Sequence, residues 1–150
     1  RSPPATSTPA AASGANAWVT NLDGTYSANE RSTLTSPCFD LSALTTDPVL
    51  SFAHIFQTEG QNDWGWVEIS FDAGATWQKL GRFGSGTNWY NRDLLDWWEG
   101  TSGPAGVWRT ASHPMTGAAG RDRVRFRFVL HTDGSYEYEG FGVDDITITP

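Results

Sequence analysis

The stretch Ser70-Phe71-Asp72-Ala73-Gly74-Ala75-Thr76-Trp77 closes a hairpin opened by Trp64-Gly65-Trp66-Val67-Glu68-Ile69, and it constrains the fold more than any other part of the chain. In an extended chain Val67, Ile69 and Phe71 fall on one side, with Trp66, Glu68 and Ser70 on the other. Asp72 then begins a tight reversal. Its carboxylate accepts from nearby backbone N–H groups, and Gly74 takes the positive φ that the turn requires. Trp77 opens the return strand. A carboxylate used in this way ties down a turn, so Asp72 reads as structural rather than catalytic.

Turn signals recur about every ten residues, a spacing that favours an all-β sandwich or barrel over alternating strands and helices. Strands are predicted over 17–22, 32–36, 49–58, 64–71, 77–80, 107–112, 122–131 and 140–149. The glycine-rich segment 81–106 between them is irregular, with a helical turn predicted over 92–98. Leu50, Phe52, His54 and Phe56 alternate with Val49, Ala53 and Ile55, which predicts a strand buried on both faces. Val67, Ile69, Phe71, Val124, Phe126 and Phe128 are the expected core, and Arg123, Arg125 and Arg127 the opposite face of their strand. The last strand has a parity fault: Phe141 and Val143 share one face, but Ile146 and Ile148 keep the other register. If all four face the core, an extra residue is absorbed near Asp144-Asp145 as a bulge. A carboxylate turned inward there needs a cation, either a metal ion or a neighbouring arginine.

The net charge of −7 makes a nucleic-acid backbone an unsuitable partner. No apolar run reaches the length of a membrane-spanning helix, so membrane insertion is not expected. Cys38 is the sole cysteine and forms no internal disulfide; between Pro37 and Phe39 it reads as a small buried group. Residues 1–15 carry Pro3, Pro4 and Pro9 among Ser, Thr, Ala and Gly, the composition of a linker, leaving 16–150 as one folded domain. With a start at Arg1 rather than Met, the chain reads as a module linked covalently to further domains.

An enzyme reading finds little support. There is no Gly-x-Ser-x-Gly elbow and no His-Glu-x-x-His pair. His54, His113 and His131 fall on separate strands, with His54 read as a hydrogen-bonded core histidine. A small glycoside hydrolase would need two carboxylates across a cleft, and Glu137 and Glu139 point the same way. Binding is better supported. Trp89, Tyr90, Trp97 and Trp98, with Arg92 and Asp96, offer the rings and polar groups that a glycan or a protein ligand uses. Large aromatics also dominate β cores, so end-plugging competes with ligand binding for these rings. Two adjacent tryptophans in an extended segment do not both point inward.

Several segments together resemble a known family. Gly24-x-Tyr26, Leu34-x-Ser36-Pro37, Leu50-Ser51-Phe52-x-His54 and Gly142-Val143-Asp144-Asp145-Ile146 follow the order of a MAM-like domain. The chain is most similar to the bacterial jelly-roll version found beside secreted metallopeptidases of the immune inhibitor A type and in surface proteins. The hairpin Ser-x-Asp-x-Gly-x-Thr-Trp likewise resembles an Asp-box. The resemblance spans residues 18–148 and implies a two-sheet antiparallel jelly-roll sandwich in an extracellular, secreted or cell-surface protein. It implies a non-catalytic accessory module for adhesion or substrate and partner contact; a carbohydrate-binding module is the alternative. It further implies a structural Ca²⁺ near Asp144 and Asp145, with Asp23 and Glu30 as N-terminal ligands. The animal members' cysteine pairs are missing.

Overall fold

The computed structural model describes residues 11–150; residues 1–10, most of the expected linker, lie outside the described residues. Eight strands form: β1 (Trp18–Val19), β2 (Arg31–Thr35), β3 (Val49–Gln57), β4 (Trp64–Ser70), β5 (Gln78–Lys79), β6 (Arg109–Pro114), β7 (Arg125–His131) and β8 (Gly140–Thr149). They pair antiparallel into two sheets of four, ordered β1-β8-β3-β6 and β2-β7-β4-β5. There is no helix among the described residues, and hence none long and apolar enough to cross a membrane. The fold is therefore an all-β sandwich, as the turn spacing predicted. Only β4 and β5 are sequence neighbours that pair; every other pairing joins strands distant in the chain.

Alternation places the core between the sheets. Leu50 and Phe52 on β3 face Val67 and Ile69 on β4 and Phe126 on β7, all nearly inaccessible to solvent. Phe52 meets Phe128 edge to face at 4.8 Å between ring centroids, a direct sheet-to-sheet contact. Phe71 and Phe128 are half-buried against the cluster. Gly65 is needed for a different reason: a Cβ there would lie 2.5 Å from the ring of Phe141 on the opposite sheet. Ala53 and Ile55 are buried on the outer face of β3, in line with burial on both sides.

The β4–β5 hairpin forms as its residues require. Asp72 Oδ1 accepts from the Ser70 hydroxyl at 2.7 Å and from Thr76 N at 2.8 Å, while Oδ2 accepts from Thr76 Oγ1 at 2.5 Å. Ser70 Oγ in turn accepts from Gly74 N at 2.8 Å. Ala73 and Gly74 both take positive φ, 60° and 96°. Donation from Thr76 and then Ser70 holds the exposed Asp72 carboxyl down to about 2.

The parity fault in β8 resolves as a bulge. Ser51 pairs with Thr147 and Ala53 with Asp144, so Asp145 and Ile146 together oppose Phe52. Asp145 takes a φ of 50°. The extra residue lets Val143, Ile146 and Ile148 all meet the core.

Three local expectations are corrected. Residues 92–98 form no helix: Arg92 bridges to Trp97, with Leu94 and Asp96 at φ of 65° and 55°, left-handed conformations that a helix excludes. Cys38 is exposed, because Ser36 and Phe39 use their N–H groups to extend β2 against Phe126 O and Val124 O, and Cys38 lies on the outward side of that segment. His54 is buried, but its Nδ1 has no hydrogen-bond partner.

Candidate functional site

The four carboxylates expected to hold a cation are not gathered into one cluster. Asp144 Oδ2 accepts from Ala12 N at 2.9 Å and Ser13 N at 3.2 Å, and Asp145 accepts from the Ser13 hydroxyl. The bulge thus turns its carboxylates outward, where backbone donors of the N-terminal segment meet them. Desolvation raises the Asp144 carboxyl, but donation from Ser13 N, Asp145 N and Ala12 N together outweighs it and leaves the group below its ordinary range. Glu30 is occupied locally, accepting from Ser27 N at 2.7 Å and from the Ser32 hydroxyl. Asp23 is exposed in the 21–25 turn, with its N–H on Asn21 Oδ1. Nor do the neighbouring arginines serve the bulge. Arg127 pairs with Glu68 at 2.6 Å and lies over the Trp77 ring.

A different set of acids converges. Glu59, Asp63 and Asp133 each present a carboxylate oxygen, and these oxygens lie within 4.8 Å of one another. Glu59 and Asp63 flank one turn between β3 and β4, closed by Asp63 N donating to Glu59 O at 3.1 Å. Asp133 enters from the loop after β7, and its N–H donates to Asp63 Oδ1 at 2.7 Å. Tyr26 supplies the third element, its hydroxyl donating to Asp63 Oδ2 at 2.5 Å while accepting from Glu59 N at 3.1 Å. Burial, then the bond to Asp63, pushes the Tyr26 phenol well above its ordinary value, so it remains a donor.

Asp63 is fully enclosed, and among the described residues no basic side chain pairs with it. Glu59 Oε2 is buried without any hydrogen-bond partner. Three mutually close carboxylates, one fully buried and one with an orphaned oxygen, form a set of hard oxygen donors suited to Ca²⁺. The sequence holds one faint signal for this cluster, acids at Glu59 and Asp63 around Gly60. Asp133 has no sequence relation to them; only the β4–β7 pairing brings it there.

The expected aromatic platform is mostly core. Trp89, Tyr90 and Trp98 are 1%, 4% and 3% exposed, so they plug the end of the sandwich instead of presenting faces to a ligand. Their polar atoms are satisfied inside: Trp89 Nε1 and the Tyr90 hydroxyl both donate to Leu80 O, and Trp98 Nε1 to Asn88 O. Trp97 alone stays half-exposed, stacked on Trp64 at 4.5 Å and 10° with the Lys79 ammonium 5.4 Å from its centroid. Arg92 pairs with Glu99 at 3.5 Å, and Asp96 Oδ1 accepts from Phe83 N at 2.7 Å. Both polar residues therefore shape the 81–106 loop that holds the tryptophans.

Ser85 and His113 lie in contact, Oγ to Nε2 at 2.8 Å, with His113 Nδ1 on Pro114 O at 2.6 Å. Ser85 Oγ also accepts from Arg82 N and reaches Arg82 O, so the pair closes the 82–85 turn. No family model matches the chain, and no curated protein matches it.

Proposed function

We propose that this chain is a non-catalytic accessory module of a larger secreted or cell-surface protein, a Ca²⁺-stabilised jelly-roll sandwich that serves adhesion or contact with a substrate or partner. The observation carrying this reading is the Glu59, Asp63 and Asp133 cluster, in which a buried acid and an orphaned carboxylate oxygen meet where three loop segments converge. A cation there would offset the repulsion of the three carboxylates and hold the Tyr26 segment, the β3–β4 turn and the β7–β8 loop together. In this reading the ion is structural, and the residues that could do chemistry are spent on turns.

Because the ion would bind only the folded state, stabilisation rises as RT ln(1 + [Ca²⁺]/Kd), about 3–4 kcal/mol at a hundred- to a thousandfold excess over Kd. Thermal melting in Ca²⁺ and then in chelator tests it. The expected result is a Ca²⁺-dependent rise in Tm that Asp133→Asn reduces. Superimposable curves would remove the cation from the reading. The partner role is tested separately, by immobilised glycan and surface-protein panels probed with the isolated domain.

A carbohydrate-binding module is the second reading. The half-exposed Trp97, stacked on Trp64 beside Lys79, favours it, since a ring braced from behind can receive the C–H face of a sugar.

A further inference from the structure

We propose that a pocket beside the β3–β6 ladder binds a uronate unit, a hydroxylated sugar ring bearing a carboxylate, with Arg109 as the partner of the anion. The inference rests on the carbohydrate reading above and gives it a ligand class. The cavity is about 290 Å³, at the lower end of the range for small-molecule sites. His54 and Arg109 are opposite residues at the end of the β3–β6 ladder, and both line it. Segment 101–103 forms a second wall, held to the end of β3 by a Gln57–Thr101 bridge and by Ser102 N donating to Phe56 O at 3.0 Å.

The lining contains no carboxylate, so it holds no countercharge for a basic ligand. It does contain a cation. Among the described residues Arg109 forms no ion pair, and its guanidinium turns its Nε–Nη2 edge toward Gly103, where a Cβ would stand 2.6 Å from Nη2. That glycine leaves room for the Nε–Nη2 edge at the wall, and the Nη1–Nη2 end of the guanidinium remains as the donor pair for a carboxylate.

The remaining polar groups suit hydroxyls. Ser102 Oγ accepts from Phe56 N at 3.1 Å, which leaves its own hydrogen to donate. Asn88 spends Nδ2 on Thr110 O and keeps Oδ1 as an acceptor. His54, 2% exposed, brings a buried Nδ1 with no partner to a lining that also includes Trp98. Burial, then the charge of Arg109, hold the imidazole well below its ordinary value, at about 4, so at neutral pH it adds no charge to the lining.

The test uses the full chain with glucuronate and galacturonate, against glucose, galactose and acetate, by ligand-observed NMR and calorimetry. Saturable uronate binding is expected with a Kd on the order of 1 mM, and about tenfold tighter than for the neutral sugars. Arg109→Gln should weaken uronate binding by about tenfold or more while leaving Tm unchanged, and Ser102→Ala should weaken both sugar classes. Neutral sugars binding as tightly as uronates, an Arg109→Gln variant with undiminished affinity, or no saturable uronate binding would each overturn the proposal. Neutral glycans captured on the panel without saturable uronate binding would leave the carbohydrate reading standing while this pocket assignment fails.

Discussion

Replacing His54 by leucine should make the protein markedly less sensitive to mild acid. His54 is buried at the end of the β3–β6 ladder, its ring 5.8 Å from Phe52, 5.5 Å from Phe56 and 5.2 Å from Trp98. Burial and then Arg109 lower its pKa from 6.5 to about 4 in the fold. The folded state therefore resists a proton that the unfolded chain accepts. Stability is fully present above pH 6.5, falls as pH drops toward 4, and is level below that. Across the whole window the loss is about 3 kcal/mol, and by pH 5 it is about 2 kcal/mol. Paired carboxylates contribute only below their unfolded value of 3.8, so the range from pH 6.5 to 5 isolates the imidazole. Urea unfolding followed by tryptophan fluorescence at pH 7 and pH 5 measures the difference. Wild type should lose about 2 kcal/mol more than His54→Leu between the two, a gap of roughly 4–8 °C in Tm. At pH 7 the variant should match or exceed wild type, since it removes the unpartnered Nδ1. Equal pH dependence in the two proteins would refute the argument.

Trp98→Ala should destabilise by about 3–5 kcal/mol, the cost of emptying a packed core site, whereas Trp97→Ala should cost about 1 kcal/mol, the worth of one stacked pair; chemical denaturation ranks them, and the reverse order would contradict the burial. Removing residues 1–10 should leave Tm unchanged, but removing 1–14 should lower it, because Ala12 and Ser13 donate to Asp144 and Asp145. Equal melting of the two truncated chains would show that this tie contributes nothing. Asp72→Asn should flatten the acid limb of stability between pH 3.8 and about 2, the window in which the depressed carboxyl of the fold resists protonation. An acid titration of wild type and variant reads this directly.

Local physics made the hairpin legible. Asp72, Ser70, Thr76 and Gly74 stand within seven residues, and the bonds made by the Asp72, Ser70 and Thr76 side chains all stay within this set. The bulge in β8 was legible for a similar reason, since two apolar pairs out of phase along one strand admit a single remedy. What the bulged carboxylates would touch was not. Asp144 Oδ1 accepts locally from Asp145 N, but Oδ2 takes its donors from residues more than a hundred positions away, and nothing in the surrounding peptide names them. The aromatic segment misleads in the same way. Trp89, Tyr90 and Trp98 have the composition of a binding platform, but only the 81–106 loop folding back over Phe52 decides that they face inward.

The sequence by itself determined the class, the alternation of each strand, the Asp72 turn and the place of the bulge, because these depend on residues within one strand or one turn. Tertiary structure alone decided which strands are neighbours. Seven strand-to-strand connections link the eight strands, yet just one of them, β4 to β5, joins partners in a sheet. The β4–β7 pairing brings Asp133 to Asp63, and the β3–β6 ladder sets Arg109 opposite His54. Both candidate sites are assembled from residues whose separation along the chain exceeds any local pattern. Their chemistry comes from side chains that the sequence shows, and their existence from a packing of two sheets that no single segment encodes.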